Sequence, residues 1–446
     1  MTLPPELIAS LRGVPGFDEE AFLAVHERGE PPVSIRLNPA KAGFLPDVPQ
    51  RPVPWCDTGR YLSSRPSFIT DPAWHAGRYY VQEASSMFVE QAFRQQAPGA
   101  LRVLDACAAP GGKSTHLQSL IGPGGLLVSN EVIRTRVGIL SENLQRWGGS
   151  NGVVTSADPR EFAGLPGFFD VVLVDAPCSG SGLFRREPEA IREWSPEQVE
   201  LCGARQQRIL SDLSGALTEG GLLIYSTCAF SPREDEVVVD WLVEQLGFEA
   251  LPLALDPVWG VVESGKYGYR FYPNRLEGEG LFLACLRKRN GVSSSYRGTF
   301  RPGVSLLGKR EKELVAPWVA SPDDYTYLLT GETVRVLPSG LTADIAHLSS
   351  VLPVREAGVA IGQIMRKDVV PDPALALSSI LSTGIPRVAL DLEQALAFLR
   401  KEELSLDDAP KGWALVTHGG YGLGWVKVLE GRINNYYPKQ WRVLKK

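Results

Sequence analysis

The sequence predicts an α/β protein built on a mostly parallel, doubly wound sheet, with smaller α+β domains to either side. Three observations predict it. Between about residues 100 and 290 short β-branched runs alternate with stretches that place apolar residues at helical spacing, and Gly-rich turns follow the runs. Length is a third observation, because 446 residues exceed what one core organises and call for about three.

The elements follow in order. "LRVLD" (101–105), "GLLVSN" (125–130), "GVVTS" (152–156), "FDVVLVD" (169–175) and "GGLLIYST" (220–227) read as buried strands. "EVIRTRVGILSENLQRWG" (131–148) and "PEQVELCGARQQRILSDLSGALTEGG" (196–221) read as helices, the second running to its Gly pair. Strand, helix and strand repeated this way give a Rossmann-like sheet, whose ligands bind at the C-terminal strand edge.

Composition narrows the function classes. A hydrophobic fraction of 44% is ordinary for a folded soluble chain. "MTLPPELIASLRG" lacks the basic start and apolar run of a signal peptide, and no stretch approaches ~18 apolar residues. A cytoplasmic monomer without membrane contact is expected. Six scattered cysteines with no C-x-x-C pair argue for reduced thiols rather than disulfides or zinc, and no metal is expected. The net charge of −5 argues against a simple cationic nucleic-acid binder. The average hides segregation, however. Arg287 to Glu313 holds eight Lys/Arg against two Asp/Glu, and Lys411 to Lys446 seven against one. Such segments are solvated surfaces or the footprint of a polyanion.

"DACAAPGGKST" (105–115) falls at the first strand-to-helix turn. It lacks the first glycine of a phosphate-binding loop, since Cys107 stands there. The other common tenant of such a turn is a nucleoside cofactor whose ribose is held by a carboxylate ending the second strand, and Glu131 has that place. Asp158 follows the third strand and Asp175 ends the fourth. Any strand-end Asp can simply cap the next helix. With Asp105, though, four acids at four strand ends suit S-adenosylmethionine, which carries a sulfonium and an ammonium. Lys113 either lines this loop or lowers the pKa of a nearby thiol.

"VDAPCSGSG" (174–182) puts Cys178 just past the fourth strand, and "YSTCAFSPRED" (225–235) puts Cys228 just past the fifth. Cys202 and Cys285 lie within a predicted helix and strand and are core candidates. Two cysteines at the ligand edge select a reaction. Carbon 5 of cytosine is a poor nucleophile until a thiolate adds to carbon 6, whereas methylation at nitrogen needs no covalent step.

"DACAAPGGKS", "NEVIRTR", "ADPREF", "DAPCSGSG" and "STCAFSPREDE", in this order, with "YYVQEASSM" (79–87), resemble the Sun-type RNA cytosine-C5 methyltransferases. The resemblance covers roughly residues 75 to 290. It implies that Cys107, Ala108, Ala109, Pro110, Gly111, Gly112 and Lys113, with Glu131, Asp158 and Asp175, bind S-adenosylmethionine. It also implies that Cys228 attacks carbon 6 and that Cys178 assists product release. Residue chemistry alone does not rank the two cysteines.

The tail interleaves Trp413, Tyr421, Trp425, Tyr436, Tyr437 and Trp441 with Lys427, Arg432, Lys439 and Arg442. These aromatics are a small core or stacking faces for unpaired bases. "GWVKV" and "NNYYPKQWR" are similar to the C-terminal PUA-like module of the bacterial RsmF branch, whose members methylate 16S ribosomal RNA. The expected organisation is an N-terminal RNA-binding region (1–74), a methyltransferase domain (75–290), a linking domain (291–372) and a PUA-like RNA-binding domain (373–446). Segments 287–298 and 368–378 are the junctions. Two alternatives stay open: the same reaction on tRNA, and a non-catalytic RNA-binding ribosome assembly factor. A pure binder would need neither Cys178 nor Cys228.

Overall fold

Each of the five runs is a strand in the structure, a computed structural model that describes residues 2–41, 48–97, 99, 101–291, 298–301, 303–366, 368–406 and 409–445. They are β1 (Arg102–Asp105), β2 (Leu126–Asn130), β3 (Gly152–Thr155), β4 (Phe169–Asp175) and β5 (Leu217–Thr227). They pair in parallel in the order β3-β2-β1-β4-β5. Beyond β5 the sheet continues antiparallel through Leu281–Lys288 and Gly268–Phe271. Because β2 and β4 lie on opposite sides of β1, the chain reverses direction there and leaves a crevice at the C-terminal strand edge.

Strand residues alternate between two cores, as a doubly wound sheet requires. Leu104, Val128, Val153 and Val172 share one with Ile209, Leu213, Val239 and Leu242. Those four belong to helices Pro196–Ser214 and Glu236–Leu246. Val103, Leu127, Val154 and Leu173 share the other with Leu117, Leu140 and Leu144, from helices Gly112–Ile121 and Arg134–Trp147.

One expected boundary is wrong. The helix from Pro196 ends at Ser214, not at the Gly pair. Ala216 and Leu217 are buried, Phe169 N–H donates to Ala216 O at 2.9 Å, and Leu217 pairs with Phe169 as the start of β5. Gly220, at φ +71°, then lets the strand bulge and resume at Leu222 opposite Val171. Tertiary pairing of an apolar Ala-Leu step overrides its helical spacing.

The N-terminal sheet orders Gln50–Val53, Cys56–Leu62, Val33–Leu37 and Tyr79–Val81, so it draws a strand from beyond residue 74. It is fastened to the cofactor-loop helix by Arg36, which is fully buried and donates from Nη2 to Gly112 O at 3.2 Å and to Thr115 Oγ1 at 2.6 Å. Cys56 Sγ donates to Glu90 Oε2 at 3.0 Å, and His116 Nε2 lies 2.9 Å from the same oxygen. Burial and the Glu90 carboxylate push the Cys56 thiol up to about 12, so the trio is a hydrogen-bonded joint between the N-terminal sheet and the helices behind it. Leu7, Leu11 and Phe22 share a core with Phe184, Phe230 and Tyr272 beside the turns that follow β4 and β5.

On the far edge, Val354–Ala357 pairs antiparallel with β3, extending the central sheet with a strand from the C-terminal half. Half of the 287–298 junction, residues 292–297, lies outside the described residues. The 368–378 segment is a strand, Asp368–Pro371, and a short helix, Pro373–Leu377, with Ala374 to Leu377 buried. In the tail, Trp413, Trp425, Tyr437 and Trp441 are buried. Of the two alternatives for these four rings the structure takes the first: they build the small domain's core, and of the tail's interleaved aromatic and basic groups the exposed ones are Tyr436, Arg432, Lys439 and Arg442. Cys202 and Cys285 are buried, as their positions in helix and strand led one to expect. No helix among the described residues is long and apolar enough to cross a membrane.

Candidate active site

The turn after β1 is held from three sides. Ala108 N–H donates to Asn130 O at 2.9 Å, Arg136 Nη2 to Ala109 O at 2.7 Å, and Asn143 Nδ2 to Pro110 O at 2.8 Å. The Ala109–Pro110 peptide is cis. Gly111, at φ +114°, is the residue from which the helix starts, a conformation that only glycine adopts without strain. Beneath the loop Asp105 is buried, and its Oδ2 accepts from Ser114 Oγ at 2.7 Å while Oδ1 has no hydrogen-bond partner. Burial, reinforced by the Asp175 charge against the pull of Ser114, raises the Asp105 pKa to about 7. Burial also pushes the Cys107 thiol up, with the charges of Asp105, Asp175 and Glu131 adding to it. Both effects favour the neutral thiol at Cys107.

Glu131 is buried just past β2. Its Oε1 accepts from Ile133 N–H at 2.8 Å, and Oε2 lies 3.3 Å from Arg136 Nη1. Asp158 acts as the cap anticipated for a lone strand-end acid: its side chain accepts from Arg160 N–H at 3.2 Å in a capping box with Glu161. Arg160 Nε lies 3.5 Å from the same oxygen, Oδ1. Asp175 has a partner that the sequence did not announce. Lys113 Nζ donates to its Oδ2 at 2.7 Å, and Ser226 Oγ donates to its Oδ1 at 2.7 Å. Burial disfavours the Lys113 charge, but Asp175, Cys228 and Asp105 outweigh it and raise the ammonium's pKa. Lys113 thus lies in the first turn of the loop helix, with its ammonium paired to Asp175.

Cys178 and Cys228 meet, their sulfurs 3.1 Å apart. Their turns are clamped to each other. Gly182 N–H donates to Cys228 O at 2.8 Å and Phe230 N–H to Ser181 Oγ at 2.9 Å. A side chain at Gly182 would stand 2.7 Å from that same carbonyl, so the turns approach as only glycine allows. Ser179 donates from N–H at 2.7 Å and from Oγ at 2.5 Å to the carboxylate of Glu234. Thr227 Oγ1 donates to Asp235 Oδ1 at 2.7 Å, and Arg270 pairs with Asp235 and Glu236 behind the turn. Glu234, Ser179, Ser226 and Gln206 were not singled out from the sequence. The signal was present, since the first three lie within the quoted cysteine motifs, but their roles follow only from contacts between distant segments.

The crevice offers a glycine turn, a buried acid with an unmatched oxygen, and a second acid past β2, so its residues fit a nucleoside cofactor that carries positive charge. This sheet and crevice define a methyltransferase that uses S-adenosylmethionine. Three family models match the chain: "16S rRNA methyltransferase RsmB/F" over residues 96–287, "N-terminal domain of 16S rRNA methyltransferase RsmF" over 3–84, and "Methyltransferase RsmF PUA domain" over 386–443. It is 32% identical to the ribosomal RNA small subunit methyltransferase F of Aliivibrio fischeri, a match covering 87% of this chain and 85% of that one. With the protein of the same name from Serratia proteamaculans it shares 29% identity over 98% and 96%. A methyltransferase homologue from Pyrococcus horikoshii, 27% identical, superposes with a TM-score of 0.52 over 64% of this chain and 100% of that one. The chain belongs to the RsmF family of ribosomal RNA methyltransferases.

Proposed function

We propose that this protein methylates carbon 5 of a cytosine in 16S ribosomal RNA through a covalent adduct of Cys228, which Cys178 helps to resolve. The observation that carries the reading is the 3.1 Å pair of sulfurs in the crevice mouth, beside the Lys113 and Asp175 side chains. Cys228 thiolate forms a bond to carbon 6, and the displaced ring electrons make carbon 5 an enamine nucleophile. Bound S-adenosylmethionine supplies a methyl group on a positive sulfonium, which carbon 5 accepts. Loss of the carbon 5 proton to a base then returns electrons to the ring and expels Cys228 as thiolate, so the nucleophile is regenerated. Cys178, in contact with the Cys228 sulfur, assists this release.

Ribosomal RNA of the small subunit as substrate rests on what the relatives are named for. The N-terminal region and the PUA-like tail are assigned to holding it, and the exposed Arg432, Lys439, Arg442 and Lys445 supply phosphate contacts. Bisulfite sequencing of 16S ribosomal RNA from a strain lacking the gene should show one or more protected cytosines become convertible. An unchanged pattern there, with loss of protection in tRNA instead, would move the reaction to the other substrate.

Within the cofactor pocket, Glu131 is assigned to the ribose hydroxyls and the loop from Cys107 to Lys113 to the rest of the cofactor, with Asp158 and Asp175 at the neighbouring strand ends. Glu131→Gln keeps the shape and removes the charge. It should weaken S-adenosylmethionine binding by about 1 to 3 kcal/mol, the worth of a charge-assisted hydrogen bond. Calorimetric affinity equal to that of the parent protein would take Glu131 out of the pocket.

A further inference from the structure

The two thiols are alike in chemistry and 3.1 Å apart, so their division of labour has to be imposed by what surrounds them. On the Cys228 side stands the Lys113 ammonium, paired with Asp175 and within electrostatic reach of the Cys228 sulfur. On the Cys178 side stands Glu234, fully buried. Its carboxylate is seated on the residue next to Cys178, accepting Ser179 N–H at 2.7 Å on Oε1 and Ser179 Oγ at 2.5 Å on Oε2. Gln206 Nε2 reaches Oε1 at 3.3 Å. Burial raises the Glu234 pKa above its ordinary value, and the three donors act against that shift by satisfying the ionised carboxylate. Because Glu234 belongs to the Cys228 turn and Ser179 to the Cys178 turn, these bonds also fix one turn against the other.

We propose that Glu234 is the positioning residue that makes Cys228 rather than Cys178 the nucleophile. It seats the Cys178 turn and holds negative charge beside that thiol, so that Cys178 keeps its proton while the thiolate forms next to Lys113. The inference rests on the covalent reading of the preceding section. A second thiolate beside a carboxylate would be a like-charge pair in a poorly solvated site. The direction of the Cys178 shift agrees: its hydrogen bond with Cys228 and then burial push the thiol up, and the charges of Cys228 and Glu234 add to this. The other titratable neighbours do not compete for this role. Burial holds Tyr225 and Cys202 neutral, and Asp235 is engaged by Thr227 and Arg270.

Alkylation by iodoacetamide, read peptide by peptide at Cys178 and Cys228 from about pH 6 to about pH 10, tests this without RNA. In the parent protein Cys228 should react at the lower pH. In Glu234→Gln the Cys178 midpoint should fall by about one pH unit, the size of a removed like charge, while Glu234→Asp, which keeps the charge, should leave it near the parent value. The inference is overturned if Cys178 reacts at the lower pH in the parent protein, a result that needs no variant to fold. It is also overturned if Glu234→Gln binds S-adenosylmethionine normally and leaves the Cys178 midpoint in place. Failure of the covalent reading shows elsewhere, as absence of any RNA adduct in Cys178→Ala, so the two failures are distinguishable.

Discussion

Cys228→Ala is expected to abolish methyl transfer, and Cys178→Ala to leave a protein–RNA adduct that survives denaturation. Without addition at carbon 6, carbon 5 has no electron pair to offer. The loss should therefore approach the whole catalytic acceleration, on the order of 10⁶-fold or more. The Cys178 variant fails later, because the thioether to Cys228 has formed and the methyl group has moved before release is needed. Its sulfur touches that of Cys228 at 3.1 Å, so it is within reach of that bond. The order of events makes the pair of variants informative: an adduct that accumulates when Cys178 is missing must be joined through another thiol. Each protein, incubated with substrate RNA and cofactor and run on a denaturing gel, gives the answer directly. Adduct in Cys228→Ala and none in Cys178→Ala would reverse the assignment.

The largest loss of stability from one substitution near the site is expected at Arg270→Ala. Arg270 is buried and pairs with Asp235 at 3.2 Å and with Glu236, and its Nη1 donates to Phe230 O at 2.8 Å. Removing it leaves the buried Asp235 carboxylate without its counter-charge and the part-buried Glu236 with only Ser264, and breaking a buried pair from one side costs about 3 to 5 kcal/mol. The loss should depend on pH. Burial already raises the Asp235 pKa well above its ordinary value, and without the guanidinium only the Thr227 hydroxyl bond opposes this. A carboxyl whose folded pKa exceeds its unfolded pKa is neutral in both states at low pH and costs nothing there. Relative to the parent protein, whose Asp235 pKa is itself raised, the deficit grows as pH rises through that raised folded value. Urea midpoints of the variant should thus lie closest to those of the parent protein in acid and fall furthest below them at the alkaline end of the range. A deficit that is constant with pH would mean that packing, and not charge, is what Arg270 contributes. Asp235 also accepts from Thr227 Oγ1, next to Cys228, so the same substitution should loosen the Cys228 turn.

The strands of the central sheet were legible because they are buried on both faces, which leaves short unbroken apolar runs bounded by glycine turns. The end of the helix from Pro196 was not, since Ala216 and Leu217 continue its spacing and only their pairing with Phe169 makes them strand. The tail aromatics were ambiguous for a related reason. A buried Trp425 and an exposed Tyr436 have the same local sequence character, and burial is decided by what lies on the other side of the sheet.

By itself the sequence determined the parallel sheet, the glycine turn after its first strand, the acids past the strand ends, and the two cysteine turns, because each depends on residues adjacent in the chain. The tertiary structure alone decided which of these act on one another. It paired Lys113 with Asp175, left one oxygen of Asp105 unmatched, turned Asp158 into a cap, and set Glu234 behind Cys178. The physical reason is that electrostatic and hydrogen-bond partnerships between residues tens of positions apart are fixed by the packing of strands and turns. Local propensity carries no information about them.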